Sequence, residues 1–477
     1  MKEFAFTPEW DGRTPLYEQL YRYVIDEIRL GRLREEDKLP SKRALAAHLG
    51  VSLSTVEGAY GLLTAEGYLR SVPRSGYRVC PVLPLGELPA PPPAPQEVPE
   101  PAAPVLDNCF STGAVDTSVF PYASWARLNR EAVQEPELLQ RGHPQGDLPL
   151  REALCAFLHQ YRGVSCRPDQ VVVGAGMEYL LDLLLQLLDP AQILGLEDPG
   201  YHSLYRSMEN FRRPFVPIPV NGEGLDPHAL AASGAELVYV TPSHQFPLGV
   251  TMPAGRRTEL LRWAYERPGR YIIEDDYDSE FRYASRPIPA MQGLDGGNRV
   301  IYIGTFSRSI APSIRVAYLI LPDELLADYR ARFAHGASTV SRYEQRVLAR
   351  FLSSGQYARH LRRVGNLYRG RCAALTSALE AAFPDGKISG NDAGLHLLFT
   401  LPGREDGELV RAAGEAGYRA HGLGEYCRGT SPRPGTLVLG FAGLEAERAA
   451  AAVGDLKIAI DRSRTRGVRL PSSGEGA

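Results

Sequence analysis

The sequence predicts a multidomain protein: a small N-terminal winged helix-turn-helix domain followed by a larger α/β domain with a mostly parallel sheet. Three observations support this fold class. A proline-rich segment divides the 477-residue chain. Helical periodicity and a hairpin pattern precede it, and strands alternating with helices follow it. We expect domains over 10–80 and 107–463, a linker over 81–106 and a flexible tail over 464–477.

The composition is that of an ordinary globular chain, with 44% hydrophobic and 23% charged residues and a net charge of −3. No run of about 18 apolar residues predicts a membrane span, and the charged N-terminus lacks the apolar core of a signal peptide. Six cysteines without CxxC spacing favour free thiols over a disulfide framework or a zinc site. We therefore expect a cytoplasmic protein without a metal site.

The small domain shows three helical patterns. Apolar residues at helical spacing predict a first helix that Gly31 ends. Ser41 begins a second helix that Gly50 stops, and Ser52 caps a third, expected over 53–66. Two short helices joined by a glycine-containing turn indicate a helix-turn-helix.

The next run, YLRSVPRSGYRV, has two strand-like halves around a turn, which predicts a β-hairpin wing. From Pro15 to Val79 the chain resembles the GntR family of winged helix-turn-helix repressors. The resemblance implies that the third helix enters the major groove of double-stranded DNA and that the wing tip contacts the minor groove. The DNA-contacting residues that it implies are Arg43, Ser52, Ser54, Thr55, Arg74, Ser75 and Gly76.

Two features qualify this resemblance. The family usually has arginine where this chain has Leu53, so we expect a different operator preference. Residues 1–80 carry 12 basic and 11 acidic groups, net +1, so charge does not exclude a protein-interaction module. The pattern match is what favours DNA.

The larger domain carries its polar signals where predicted strands end. The run VVVGAGMEYLL is typical of a strand, a glycine turn and a helix start, which places the N–H groups of Ala175, Gly176 and Met177 to bind a phosphate at the positive end of the helix. The run IIEDDYDSEF ends a buried strand in carboxylates. In a parallel sheet such residues meet at the carboxyl ends of the strands, where ligands bind.

These runs, together with TPSHQFPLG and YIGTFSRSIAPSIR, resemble the fold-type I aminotransferases that use pyridoxal phosphate (PLP). Behind a GntR-like domain, the set resembles the MocR/GabR subgroup of regulators. The resemblance implies that Asp275 pairs with the pyridine nitrogen, Tyr277 with the phenolic oxygen, and that Tyr201 covers the ring. It also implies that Ser307 and Arg315 hold the phosphate. Because fold-type I sites form at a two-fold interface, it further implies a homodimer.

Arg308 stands where that family has its Schiff-base lysine. A guanidinium stays protonated, with a pKa above about 12, and so has no free lone pair for an imine. The five lysines of the chain all lie far from this stretch in sequence: Lys2, Lys38, Lys42, Lys387 and Lys457. We therefore predict no catalytic residues and no covalent PLP, but a site at which PLP or a related phosphate is bound non-covalently.

Other departures cluster near the same site. Arg141 begins the run RGHPQG, where the family has a tyrosine that reaches the neighbouring subunit, and Phe246 replaces an asparagine. Val438 lies near the position of a carboxylate-binding arginine. We expect Arg141 and Arg308 to make the pocket more cationic, which suits a phosphate or carboxylate ligand.

Three interpretations follow: a DNA-binding regulator whose large domain senses a small anionic effector and dimerises, a PLP-dependent aminotransferase with a DNA-binding appendage, or a regulator with a ligand-free dimerisation domain. Arg308 argues against the second, because PLP catalysis needs the amine. The first and third differ in whether a small molecule binds, which the sequence leaves open. The effector, the regulated gene and the direction of regulation are not encoded in any residue pattern.

Overall fold

The structure, a computed structural model, describes residues 6–7, 14–82, 106–283, 288–296, 299–428 and 435–467. The chain divides into two compact units, 1–102 and 103–477, and the boundary between them falls within the proline-rich segment. Most of the predicted linker, residues 83–105, therefore lies outside the described residues.

The described residues of the small unit form three helices and a three-stranded antiparallel sheet of order β1-β3-β2. Its elements are α1 (Leu16–Arg29), β1 (Lys38–Leu39), α2 (Lys42–Leu49), α3 (Leu53–Ala65), β2 (Leu69–Val72) and β3 (Gly76–Val79). The predicted caps are confirmed: Ser41 and Ser52 accept hydrogen bonds from the N–H groups of Ala44 and Thr55, at 3.2 and 3.1 Å. Gly50 ends α2 with φ 65°, a left-handed conformation that glycine adopts without strain. The apolar faces of the helices form one core with the hairpin.

The large unit contains twelve further helices and twelve further strands among its described residues. Its helices are α4 (Tyr122–Val133), α5 (Leu148–Arg162), α6 (Met177–Leu187), α7 (His202–Asn210), α8 (Pro227–Ala232), α9 (Ala254–Tyr265), α10 (Gln292–Asp295), α11 (Asp323–Phe333), α12 (Arg342–Ser353), α13 (Gln356–Ala382), α14 (Asp406–Glu415) and α15 (Ala449–Gly467). Its strands are β4 (Val171–Gly174), β5 (Leu194–Asp198), β6 (Phe215–Asn221), β7 (Gly224–Leu225), β8 (Leu237–Val240), β9 (Tyr271–Asp276), β10 (Val300–Thr305), β11 (Ala317–Ile320), β12 (Lys387–Ser389), β13 (His396–Thr400), β14 (His421–Gly422) and β15 (Thr436–Gly440).

An eight-stranded sheet of order β4-β11-β10-β9-β8-β5-β6-β7 forms the centre of the large unit. The five strands from β10 to β6 pair in parallel, as the alternating pattern predicted, while β11 pairs antiparallel with both β10 and β4. Apolar side chains cover both faces of this sheet. The fold class predicted from the sequence is confirmed, and the carboxyl ends of the parallel strands define one edge for a site.

A second sheet, of order β12-β13-β15-β14, is antiparallel and packs with α13, α14 and α15 around its own core. The sequence patterns did not predict this sheet. Helix α15 runs to Gly467, past the predicted start of the tail at 464, and residues 468–477 lie outside the described part. Among the helices that the structure describes, none combines the length and the apolar character that a membrane span requires.

Candidate functional sites

The N-terminus of α3 presents a cluster of hydroxyl groups. Ser52 Oγ lies 2.8 Å from Ser54 Oγ and 2.8 Å from Thr55 Oγ1. Ser52 and Ser54 are exposed, and Leu53 between them is 39% exposed. The capping interaction therefore holds three predicted DNA-contacting hydroxyls together on an accessible helix end.

Arg43 and Arg74 are exposed cations of the same unit. Arg43 lies on α2, and Arg74 forms the hairpin tip with φ 61°, followed by Ser75 and by Gly76 with φ 91°. Neither arginine has a carboxylate partner within the described residues, whereas most other basic side chains of the unit are ion-paired. The paired side chains are Arg22, Arg29, Arg32, Lys42, Arg70 and Arg78.

In the large unit, the turn between β4 and α6 brings Gly176 against Arg315. Gly176 has φ 96°, and a Cβ on it would lie 2.6 Å from Arg315 Nη2, so only glycine fits there. The Arg315 Nη2 donates to Glu178 Oε2 at 2.8 Å. Of the three predicted phosphate-binding N–H groups, two are already engaged: Ala175 donates to Thr339 Oγ1 at 3.0 Å and Gly176 to the Gly174 carbonyl at 2.8 Å.

Asp275 is buried at the carboxyl end of β9. Its Oδ2 accepts a hydrogen bond from the Tyr239 hydroxyl, but its Oδ1 has no partner among the described residues. Burial raises the pKa of Asp275 to about 7. A buried carboxylate oxygen that accepts no hydrogen bond lowers the stability of the fold. An N–H or O–H group of a ligand could donate to this oxygen.

Two tyrosines lie near this carboxylate. The Tyr277 hydroxyl donates to the His244 carbonyl at 3.1 Å, and burial raises its pKa, so it stays protonated. Tyr201 is 37% exposed, and its ring meets the Phe246 ring edge-on at 6.1 Å. Both side chains present aromatic surface to the same cavity.

Arg308 follows the end of β10 and is half-buried. Its Nη1 donates to the Thr112 carbonyl at 2.6 Å, and it has no carboxylate partner in the part of the chain that the structure describes. The hydroxyl of the neighbouring Ser307 accepts a hydrogen bond from the Thr305 hydroxyl at 3.1 Å.

Together these side chains surround one cavity of about 780 Å³, a volume typical of small-molecule sites. Seven of the nine predicted cofactor-binding residues line it: Met177, Tyr201, Asp275, Tyr277, Ser307, Arg308 and Arg315. Ala175 and Gly176 do not line it, although Gly176 shapes it through Arg315.

The expectation that Arg141 adds charge to this cavity is wrong for a single chain. Arg141 donates to the carbonyls of His335 and Gly336 and is not among the lining residues. Val438 is fully buried in β15. The sequence analysis missed several polar lining residues. Thr112, His421, Glu425 and Tyr426 come from segments distant in sequence from the predicted residues, whereas Glu178, His202 and Arg206 follow the predicted residues Met177 and Tyr201 closely and were not singled out.

Comparison with known proteins agrees with the two units. Residues 16–79 match the model of bacterial regulatory proteins of the gntR family, and residues 110–438 match that of class I and II aminotransferases. The probable rhizopine catabolism regulatory protein MocR of Rhizobium meliloti is 35% identical over 94% of this chain and 94% of its own length. This chain is a MocR-type transcriptional regulator.

Other relatives align with this MocR-type regulator over most of their length. The uncharacterized HTH-type transcriptional regulator YdeL of Bacillus subtilis is 41% identical, covering 90% of this chain and 93% of the relative. The pyridoxine biosynthesis regulator PdxR of Corynebacterium glutamicum is 35% identical over 90% of this chain and 91% of its own length.

Two solved structures of aminotransferases resemble this MocR-type regulator over about three quarters of the chain. An archaeal alanine:glyoxylate aminotransferase, 23% identical, aligns with a TM-score of 0.68 over 76% of this chain and 92% of its own, which shows the fold alone. LysN of Thermus thermophilus, an α-aminoadipate aminotransferase complexed with N-(5′-phosphopyridoxyl)-L-leucine, is 26% identical with a TM-score of 0.65 over 75% and 92%.

Proposed function

We propose that this MocR-type regulator senses a small anionic ligand in its aminotransferase-like unit, binds that ligand non-covalently and has no aminotransferase activity. Arg308 carries this proposal, because it lines the cavity and stands where the resemblance to the PLP-dependent aminotransferases implies a lysine. None of the lysines that the structure describes lines the cavity; Lys457, for example, donates to the Ala382 carbonyl. PLP held as a Schiff base supplies an electron sink for amino-acid chemistry, and these side chains offer it no amine.

The remaining side chains fit a pyridine ring bearing a phosphate. Asp275 Oδ1, which no described residue contacts by a hydrogen bond, would accept the ring N–H, and Tyr201 would cover one face of the ring. Arg315 and Ser307 would hold the phosphate beside the N-terminus of α6. The phosphopyridoxyl ligand of LysN, on the same fold, supports this choice of ligand class.

The distribution of charge favours a ligand with a second anionic or strongly accepting group. The Arg308 guanidinium donates one hydrogen bond to the Thr112 carbonyl and has no carboxylate partner among the described residues. A guanidinium in a half-buried site gains about 1.5–3 kcal/mol from a charge-assisted hydrogen bond. We therefore propose that Arg308 itself contacts the ligand.

Titration of the purified protein with PLP tests this proposal. We expect binding by calorimetry, no visible imine absorbance, and no cofactor adduct on any peptide of residues 107–463 after borohydride reduction. Arg308→Lys is the matched variant: it returns an amine to the site and should develop the imine band. Arg308→Met removes the charge without adding an amine, and should weaken binding by about 10- to 100-fold. A reduced adduct in the wild-type unit would overturn the proposal.

We propose that the hydroxyl cluster of α3 reads the operator while Arg43 and Arg74 contact phosphates. Their lack of carboxylate partners in the described part of the unit supports this assignment. Lys38, which the sequence analysis did not single out, also has no carboxylate partner among the described residues. Its Cε lies 3.9 Å from where a Cβ on the wing residue Gly76 would be. Leu53→Arg, assayed by gel shift on DNA upstream of the gene, should raise non-specific affinity and its salt dependence. Unchanged binding would contradict the placement of α3 in the groove.

We further propose that the large unit forms a homodimer. Its α4, the following turn and the start of α5 leave large apolar side chains exposed: Tyr122 63%, Val133 67%, Leu139 77% and Leu148 49%. Exposed apolar groups of this size mark interaction surfaces when they cluster. Sedimentation should show a dimer that Leu139→Asp weakens and that the control Leu294→Asp, at a 55% exposed site on α10, leaves intact. A wild-type monomer at micromolar concentration would refute the proposal.

A further inference from the structure

Cys155 and Cys166 form a thiol pair outside the cavity. Cys155 lies on α5 and Cys166 in the segment between α5 and β4, and the Cys166 thiol donates to Cys155 Sγ at 3.3 Å. Both side chains are half-buried, whereas Cys109 and Cys372 of the same unit are buried. Neither member of the pair lines the ligand cavity.

The two sulfurs have different electrostatic surroundings. The hydrogen bond from Cys166 lowers the pKa of Cys155 against the opposing effect of burial, and the Arg151 guanidinium in the same helix adds to the lowering. The same hydrogen bond and burial raise the pKa of Cys166. Cys155 is therefore the better nucleophile of the two, because the thiolate is the reactive form.

We propose that Cys155 and Cys166 are an oxidation-sensitive pair that a peroxide converts reversibly into a disulfide. The Cys155 thiolate attacks one peroxide oxygen, the O–O bond breaks, and the leaving hydroxide takes a proton to become water. The resulting sulfenic acid is attacked by the Cys166 sulfur, which forms the S–S bond, loses its proton and releases a second water. The two thiols together lose two electrons, and these reduce one peroxide to two waters.

The geometry needs little movement for this reaction. The sulfurs must close from 3.3 Å to about 2.05 Å. The segment after α5 is already held to the helix, since Arg151 Nη1 donates to the Pro168 carbonyl at 2.7 Å. The disulfide would fix this segment more firmly, and the segment continues into β4 and the Gly176 turn beside the cavity.

Peptide mapping of the full-length protein tests the proposal. The protein is exposed to graded hydrogen peroxide, alkylated in denaturant and digested with trypsin, which cleaves after Arg162 between the two cysteines. We expect a 155–166 cross-link at the lowest peroxide concentration that oxidises any thiol, lost again on treatment with dithiothreitol. Cys372, whose pKa burial raises to about 11, is the internal control and should stay alkylatable. Recovery of both cysteines alkylated while Cys372 oxidises, or a cross-link to another cysteine, would overturn the proposal.

Serine variants assign the two roles. In Cys166→Ser, Cys155 should accumulate as a sulfenic acid that dimedone traps. In Cys155→Ser, Cys166 should react no faster with peroxide than Cys372. Equal trapping at both positions would contradict the assigned roles, and the wild-type peptide map decides the cross-link itself even if a variant does not fold.

Discussion

Glu178 holds Arg315 at the start of α6, and replacing it with glutamine tests whether this arginine receives a phosphate. The pair spans 2.8 Å between exposed side chains, at 52% and 58%. Burial raises the pKa of Glu178, but the N–H at the helix start and Arg315 lower it by more, so the carboxylate is ionised at neutral pH. Glu178 is thus an anion at the position that we assign to the ligand phosphate.

An exposed ion pair of this kind contributes about 0.2–1 kcal/mol. Glu178→Gln frees Arg315 from that interaction, so pyridoxamine 5′-phosphate should bind about 1.5- to 5-fold more tightly. Loss of repulsion between Glu178 and the phosphate acts in the same direction. The fold should lose little stability, because the pair is solvent-exposed.

Calorimetric titration at fixed ionic strength measures this change. Glu131→Gln is the control variant, since Glu131 forms a comparable exposed ion pair with Arg127 on α4. Pyridoxamine without its phosphate is the control ligand, and its affinity should not improve. Affinity for the phosphorylated ligand that is unchanged or weaker in Glu178→Gln would refute the assignment of Arg315 to a phosphate.

Three further predictions concern the caps, the DNA surface and pH. Ser52→Ala removes the cap of α3 and should destabilise the small unit by about 1 kcal/mol, seen as an earlier thermal transition of the full chain. Arg43→Ala and Arg74→Ala should each weaken operator binding and lower the salt slope by about 0.9 in gel-shift titrations, whereas Arg22→Ala, whose arginine is paired with a glutamate, should not. Burial raises the pKa of Asp275 from 3.8 to about 7, so its contribution to stability is present below about pH 4 and is lost as the pH rises through about 7. In urea unfolding, Asp275→Asn should gain stability relative to the wild type as the pH rises between those values. A difference in stability that does not change with pH would contradict the raised pKa of this buried carboxyl.

The parts of the fold that were predictable depend on interactions between neighbours in sequence. Ser52 caps α3 through a bond to a residue three positions later, and Gly50 ends α2 through its own backbone conformation. The strand-turn-helix at β4 and α6 was recognised in the same way, from a local glycine and flanking apolar residues. The antiparallel sheet that pairs β13 with β15 was not recognised, and these two strands are separated in sequence by α14 and β14.

The residues of the candidate site could likewise be predicted only in part. Asp275, Tyr277 and Arg308 were found because the motifs that hold them resemble the cofactor segments of the aminotransferases. The ion pair between Glu178 and Arg315 was not predicted, because the two residues lie 137 positions apart in the sequence.

The sequence by itself determined that the chain has two domains and that the first is a winged helix-turn-helix. These properties follow from short-range periodicity and from motifs that resemble known families. Only the tertiary structure decided that Asp275 keeps an oxygen without a partner among the described residues, that Arg141 lies away from the cavity of its own chain, and that Cys155 and Cys166 are in contact. Those properties depend on which distant segments pack together, and packing is decided by the burial of side chains over the whole domain.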